Sequence, residues 1–100
     1  MNKQSVYTLL NKIPKGKVTT YKALAQALNS KAYRAIGQIL KQNPNAPIVP
    51  CHRVVQSDGK LGGYALGIKK KIELLKKEGV NIENNKINLN EYEYRFNQFS

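Results

Sequence analysis

The sequence predicts a mainly α-helical domain with a small β element, of the winged helix-turn-helix type and with a C-terminal hairpin or irregular tail. Apolar residues recur at helical spacing in several short segments, and Pro, Gly and Asn residues end each segment. One further stretch, residues 48–55, has the pattern of an extended segment. A length of 100 residues accommodates one such domain. We expect a single domain over residues 1–100, with its core at about 5–80 and a tail at 81–100.

Helical periodicity places three short helices in the first part of the chain. The first covers Val6–Leu10 and ends ahead of Pro14 and the Lys15–Gly16 turn. Thr19 or Thr20 can cap the second helix, whose apolar positions are Tyr21, Leu24, Ala25 and Leu28. Ser30 can cap the third, from Lys31 to about Gln42, whose inward stripe is Ala32, Ile36, Ile39 and Leu40. A loop over residues 43–47, with two prolines, cannot continue this helix.

The second part of the chain is predicted to be less regular. Pro50 interrupts regular strand pairing within residues 48–55, and a turn follows at residues 57–59. A glycine-rich loop over residues 62–67 has the freedom to approach a ligand closely. The next helix runs from about Ile68 to Glu78, stops at Gly79 and turns three side chains inward, Ile68, Ile72 and Leu75. An Asn84–Asn85 turn then suits a small hairpin, and we expect residues past Asn90 to be loosely held.

The charges are unevenly distributed along the chain. The formal net charge is +11, yet residues 1–57 hold nine basic residues and no acidic residue. Such an excess predicts a polyanionic partner, and it favours a nucleic acid among polyanions. A merely soluble basic surface is the alternative that charge alone leaves open.

Composition excludes several other classes of protein. The longest apolar runs are too short to span a membrane or to serve as a signal peptide. A single cysteine cannot form an intramolecular disulfide, and one cysteine with one histidine cannot make a structural zinc site. We therefore expect a cytoplasmic, nucleoid-associated monomer that needs no metal and no cofactor.

The outward face of the third predicted helix is basic and amide-rich. Four side chains at spacings of three and four share this face, Lys31, Arg34, Gln38 and Lys41. A helix with this face, after a tight turn and another short helix, is typical of DNA-binding helix-turn-helix units. An ordinary amphipathic helix with a basic solvent face explains the same pattern.

Reactive chemistry is concentrated at Pro50–Arg53. Cysteine is a nucleophile only as its thiolate, and the sole histidine of the chain directly follows the sole cysteine. In a regular strand Cys51 and His52 would point to opposite faces, so their cooperation requires a bend or a bridging water. An inert buried cysteine is the alternative.

The stretch Pro50-Cys51-His52-Arg53-Val54 resembles the active-site signature of the O6-alkylguanine-DNA alkyltransferases, also called methylated-DNA–protein-cysteine methyltransferases. The resemblance covers about residues 5–80, in the family's order and with nearly its spacing. It continues through residues 13–21, 34–37, 43–44 and 63–64 and then through Gly67, Lys71, Leu74, Leu75, Glu78 and Gly79. The chain is similar to a single-domain form that lacks the family's N-terminal domain.

The resemblance implies a role for each matching residue of the catalytic group. Cys51 is the nucleophile that irreversibly accepts an alkyl group from O6-alkylguanine in double-stranded DNA, and His52 is its base through a water. Glu78 orients His52, and Asn43 belongs to the same hydrogen-bond network. Tyr21 rotates the phosphate of the target nucleotide and helps to protonate the leaving guanine; a core aromatic on helix two is the alternative.

Residues for DNA and for the flipped base are implied in the same way. Arg34 fills the gap that the base leaves, and the helix-turn-helix enters the minor groove rather than the major groove. The DNA-binding set is Arg34, Tyr21, Lys31, Gln38, Lys41 and Arg53, and the pocket set is Tyr64, Ala65, Gly63 and Pro50. Tyr33 and Gln38 are bulkier than the small residues that often stand there in the family.

Three functions remain in view at the level of sequence. The first is a suicide repair protein that accepts one alkyl group per molecule. The second is a damage sensor like the alkyltransferase-like proteins, which bind alkylated DNA without repairing it and typically carry tryptophan where this chain has Cys51. The third is a plain helix-turn-helix regulator. The presence of Cys51 favours transfer.

Overall fold

The computed structural model describes residues 3–43, 48–64 and 66–96. In chain order its elements are α1 (Lys3–Leu10), β1 (Thr19–Thr20), α2 (Tyr21–Ala27), α3 (Tyr33–Lys41), a 3₁₀ turn (Cys51–Arg53), β2 (Val54–Val55), α4 (Ile68–Lys77) and α5 (Leu89–Tyr92). The mainly α fold with a small β element is thereby confirmed. None of the helices in these ranges is long and apolar enough to cross a membrane.

The helix-turn-helix pair consists of α2 and α3. Thr20 caps α2 as predicted, because its hydroxyl accepts a hydrogen bond from the Ala23 N–H at 3.0 Å. The third helix begins later than expected, since the Ser30 hydroxyl accepts from the Ala32 N–H and closes a turn instead of capping the helix. Ala32 is consequently exposed, and its assignment to the inward stripe was wrong. Ile36, Ile39 and Leu40 are buried as predicted.

A two-stranded parallel sheet joins the two halves of the chain. Thr19 pairs with Val54 and Thr20 with Val55, which are far apart in sequence. This pairing places the start of α2 beside the 3₁₀ turn, because α2 directly follows β1 and the turn directly precedes β2. The sequence did not predict the pair, since strands of two residues carry no periodicity.

Two clusters of buried side chains flank this sheet. One unites α1, α2 and α3 with Cys51 and Val54, and its largest fully buried members include Leu10, Ile13 and Leu24. The other unites Val18, Val55, Leu61, Leu75, Val80 and Ile87. The 3₁₀ turn lies at the junction, since Val54 belongs to the first cluster and Val55 to the second.

The segment around the cysteine is not the extended stretch that the pattern predicted. Cys51–Arg53 forms a 3₁₀ turn in which the Arg53 N–H donates to the Pro50 carbonyl at 3.1 Å, and only Val54–Val55 is a strand. Pro50 thus starts a turn rather than interrupting a strand. The opposite orientation of neighbouring side chains in a strand therefore does not apply to Cys51 and His52.

Helix α4 begins and ends as expected, but one of its predicted inward residues is exposed. Gly79 follows it at φ +91°, a left-handed conformation that suits glycine at the end of a helix. Ile68 is 44% exposed, so its inward assignment was wrong, whereas Leu75 is fully buried. Lys71, on the same face as Leu75, is fully buried as well.

The tail is better ordered than predicted. Asn84 and Asn85 form the expected turn with positive φ, flanked by mutual hydrogen bonds between Glu83 and Lys86. The hairpin extends no further, because the Ile87 N–H donates to Gly59 instead. Past Asn90 the chain pairs with Val18 through residues 92–94, and Tyr94 and Phe96 pack against the first cluster. The expectation of a loose end was therefore wrong up to residue 96.

Candidate active site

Cys51 lies at a cavity of about 710 Å³ between the helix-turn-helix and the glycine-rich loop. The side chain is nearly buried, with 4% of the residue exposed. Among the described residues the lining consists of Tyr21, Lys22, Tyr33, Arg34, Gly37, Gln38, Leu40, Lys41, Cys51, Gln56, Ser57, Gly63 and Tyr64. The lining contains cations, aromatic rings and the thiol, and none of these residues is acidic. A cavity of this size is typical of sites for small organic groups.

Asn43 connects the thiol to the end of α3. Its side-chain amide donates to the Val49 carbonyl at 2.8 Å and to Cys51 Sγ at 3.4 Å. Burial raises the pKa of the Cys51 thiol, although the Asn43 amide and the positive charge of Lys71 act in the opposite direction. At neutral pH the resting cysteine is therefore a thiol, and its use as a nucleophile requires a base.

His52 is buried and held by one carboxylate. Its Nε2–H donates to Glu78 Oε2 at 2.9 Å, which leaves Nδ1 as the nitrogen with the lone pair. Nδ1 is buried and has no hydrogen-bond partner among the described residues. Burial lowers the pKa of His52, although Glu78 acts to raise it. The imidazole is therefore neutral at pH 7 and can accept a proton at Nδ1.

Glu78 lies directly after α4, and its carboxylate is held on both oxygens. Arg53 Nε donates to Oε1 at 2.9 Å, and its terminal nitrogen donates to Oε2 at 2.7 Å. Burial raises the pKa of Glu78, but the hydrogen bonds from Arg53 and His52 outweigh burial and hold it below its usual range. Glu78 is therefore an ionised acceptor, as its expected orienting role requires.

Arg53 does not lie on the DNA-facing surface where the sequence-based assignment placed it. The residue is 9% exposed, and a third nitrogen donates to the Ile13 carbonyl at 2.7 Å. A guanidinium occupied in this way cannot also reach a phosphate, so its assignment to the DNA-binding set is withdrawn. The sequence could not distinguish this buried arginine from the exposed ones.

Lys71 is a buried cation whose place in the site only the structure reveals. Its ammonium donates to the carbonyls of Val54, at 2.7 Å, of Gly63, at 3.0 Å, and of Leu61. Burial lowers the pKa of Lys71 to about 8. The signal was present, because position 71 lies one helical turn before the apolar Leu75 on the same face of α4. Lys71 joins the glycine-rich loop to β2.

Two tyrosines line the cavity near the thiol. Tyr21, at the start of α2, is half-buried, and burial raises the pKa of its hydroxyl. The Tyr64 ring meets the His52 ring edge-on at 6.1 Å, and burial raises the pKa of Tyr64 to about 12. Both phenols are therefore protonated donors at neutral pH.

The three other residues that were expected to line the pocket have different outcomes. Gly63 lines the cavity, and a Cβ added there would meet open space. Pro50 is buried at the start of the 3₁₀ turn and is not part of the lining, while Ala65 lies outside the described residues.

The basic face of α3 forms the rim of the cavity. Arg34, Gln38 and Lys41 line it as the spacing predicted, and Tyr33, 47% exposed, joins them. Lys31 precedes α3 and is not part of the lining, so it does not share the helical face that the spacing predicted. Lys22, Gln56 and Ser57 were missed, because no periodicity places residues from two distant segments of the chain around one opening.

Comparison with known proteins identifies the family to which this chain belongs. Residues 1–80 match the family model described as the DNA-binding domain of 6-O-methylguanine DNA methyltransferase. The chain belongs to this family.

A bifunctional methyltransferase/endonuclease of Picrophilus torridus is 50% identical over 95 residues, which are 94% of this chain and 31% of that protein. A methylated-DNA–protein-cysteine methyltransferase of Methanosarcina barkeri is 49% identical over 79% of this chain and 51% of its own length. The chain thus spans about half, or less, of these relatives.

The likeness to one solved structure extends into the tail. S. pombe Atl1, in complex with damaged DNA containing O6-carboxymethylguanine, has a TM-score of 0.83 at 31% identity and covers 94% of both chains. The matched family domain ends at residue 80, so this structural likeness includes the α5 region beyond it.

Proposed function

We propose that the chain binds double-stranded DNA containing O6-alkylguanine, accommodates the flipped base in the cavity, and transfers the alkyl group irreversibly to Cys51. The observation that carries this proposal is the thiol at the cavity, backed by the buried His52–Glu78–Arg53 network. Family membership through the DNA-binding domain supports the same reaction.

The proposed chemistry requires only groups that the chain and the substrate supply. A water carries the proton of the Cys51 thiol to His52 Nδ1, and the resulting thiolate attacks the alkyl carbon. The sulfur–carbon bond forms as the bond from that carbon to O6 breaks, and the electron pair of the broken bond stays on guanine. Guanine takes up a proton relayed by Tyr21, equivalent to the one that left Cys51. The products are an S-alkyl cysteine and guanine, so each molecule reacts once.

The cationic rim supports the extrusion of the base. Unstacking a base from the duplex costs a few kcal/mol, and Arg34 on α3 can fill the gap that it leaves. Lys22 and Lys41 line the same cavity and supply positive charge for contacts to phosphates. Tyr64 and Gly63 also line the cavity, and the flipped base is expected to pack against them.

A damage sensor is the second candidate. The likeness to Atl1 over 94% of both chains favours it, since the same surface would hold alkylated DNA without transfer. The two proposals differ at Cys51. A sensor keeps its preference for modified DNA and leaves the cysteine unmodified.

Mass spectrometry after incubation with an O6-methylguanine duplex separates them. We expect one added methylene on the peptide that carries Cys51, and none after incubation with the unmodified duplex. Cys51→Ala is the matched control, which should retain preferential binding to the modified duplex without a mass change. An unmodified Cys51 under conditions where a known methyltransferase reacts would reject transfer and leave the sensor.

A further inference from the structure

Arg53 makes three directed hydrogen bonds beneath the nucleophile, and no role in the proposed reaction has been assigned to it. Two of its nitrogens hold the two oxygens of Glu78 side-on, and the third holds the Ile13 carbonyl. Arginine–carboxylate pairs of this bidentate form fix orientation as well as distance. The carboxylate therefore cannot rotate, and Oε2 stays directed at His52 Nε2.

The anchor of this pair is the turn between α1 and β1. The guanidinium reaches across forty positions of sequence to Ile13. Gly16, in the same turn at φ +87°, approaches so closely that an added Cβ would lie 3.2 Å from the Glu78 carbonyl oxygen. Arg53 and Glu78 are thus held from both sides, by α4 and by the turn.

The charges around His52 show what the pair does electrostatically. Glu78 follows α4 and attracts a proton to the imidazole, whereas Arg53 on the 3₁₀ turn and Lys71 on α4 repel one. Cys51 precedes His52 in the chain, and the Tyr64 ring packs edge-on against it from the glycine-rich loop. Glu78 alone would favour an imidazolium, which cannot accept a proton. Burial disfavours the imidazolium most strongly, and the charge of Arg53 on the same carboxylate cancels part of the attraction from Glu78 while the hydrogen bond to Nε2 remains.

We propose that Arg53 is a positioning residue for the transfer reaction: it holds Glu78 as an oriented carboxylate and offsets its charge, so that His52 is presented as a neutral base. The inference about His52 concerns the resting protein. Its link to catalysis rests on the proposed transfer to Cys51.

The sole histidine of the chain makes a direct test possible, because its ring signals in an NMR spectrum need no assignment. In Arg53→Met the titration midpoint of His52 should move to higher pH than in the wild type, since the charge of Glu78 is then no longer offset by its bonded guanidinium. Arg95→Met is the matched control: this arginine is 86% exposed, 3.9 Å from Glu93, and its loss should leave the midpoint unchanged. A midpoint that stays at the wild-type pH in a folded Arg53→Met protein would overturn the proposal.

The rate of Cys51 methylation measures the catalytic consequence. In Arg53→Met the single-turnover rate should fall about tenfold near neutral pH, and it should recover at higher pH as His52 loses its proton. Arg53→Lys, which keeps the charge but loses the bidentate contact, should keep the His52 midpoint near the wild-type pH and restore only part of the neutral-pH rate. A rate that falls equally at every pH would reject the electrostatic role. If no transfer occurs in the wild type, the proposed function is wrong. The NMR comparison still shows whether Arg53 influences the protonation of His52 in the resting protein.

A second variant covers the case in which Arg53→Met does not fold. In Glu78→Gln the attraction disappears while Arg53 keeps its charge, so the His52 midpoint should move to lower pH than in the wild type. A midpoint at or above the wild-type value would show that the pair does not set the protonation of His52.

Discussion

The positive charges of this protein occur in two surroundings, the exposed rim of the cavity and the buried network beneath Cys51. On the rim, Arg34 and Lys41 project from α3 beside the opening. Away from the rim, Arg53 of the network and Lys71 are both buried; Arg53 is bonded to the Glu78 carboxylate, and Lys71 is bonded to backbone carbonyls. Rim charges act through their sum and are screened by salt, whereas network charges act through their position. The two sets should therefore respond differently to substitution.

The largest effect is expected for His52, the proposed proton acceptor within the network. His52→Asn should lower the rate of methyl transfer to Cys51 by roughly a hundredfold to ten-thousandfold, because the buried thiol loses its proton acceptor. Single-turnover transfer from an O6-methylguanine duplex measures this rate, and duplex affinity by fluorescence anisotropy should not change. A loss of duplex affinity as large as the loss of rate would contradict the idea that the network acts on the reaction and the rim acts on binding.

The next effect concerns stability rather than rate. Lys71→Met leaves the carbonyls of Val54, Leu61 and Gly63 without their donor, and we expect a loss of about 2–4 kcal/mol in the free energy of unfolding. Urea denaturation measures it. Lys76→Met, at an exposed position of the same helix, is the matched control and should change the unfolding free energy little.

The pH dependence of that stability sharpens the test. The pKa of Lys71 is about 8 in the folded protein and 10.5 ordinarily, so between these values the unfolded chain binds more protons. The wild type should therefore gain stability relative to Lys71→Met, by up to about 3 kcal/mol, as the pH rises through this window. That contribution is complete above the upper value and is lost as the pH falls through the lower one. A difference that does not vary with pH would show that the ammonium is not desolvated.

On the rim, the expected effects are smaller and act on binding. Arg34→Ala should weaken the preference for O6-methylguanine duplex over unmodified duplex by about tenfold, because nothing then fills the gap in the stack. Arg34→Lys should keep the affinity for unmodified duplex while losing part of the preference. Equal weakening on both duplexes in Arg34→Ala would reduce this arginine to a general phosphate contact.

The smallest effect is expected for a lysine of the rim. Lys41→Gln should lower affinity equally for modified and unmodified duplex and reduce the slope of log affinity against log salt by about 0.9. Lys77→Gln is the control, since that lysine is 72% exposed, lies 3.7 Å from Glu73 and does not line the cavity. A change in lesion preference in Lys41→Gln would give this lysine a role in recognising the lesion, like the role expected of Arg34.

Sequence reasoning succeeded where the signal is local. Helical spacing and the Thr20 cap located α2, and Gly79 marked the end of α4. The extended pattern around Cys51 failed, because a proline before a 3₁₀ turn and a proline within a strand look alike in sequence. The prediction for the tail was wrong for a related reason. The aromatic residues after Asn90 show no helical or strand periodicity, and their ordered position follows only from the buried clusters that they cover.

The sequence by itself determined the helix-turn-helix, the acid-free basic half and the pairing of the only cysteine with the only histidine. Tertiary structure alone decided which cations face the cavity and which lie beneath it. Arg34 and Arg53 are the same residue type in similarly basic surroundings, yet one lines the opening and the other is bonded to Glu78 and Ile13. The reason is that a buried charge needs partners for its donors, and the chain brings those partners from 25 and 40 positions away.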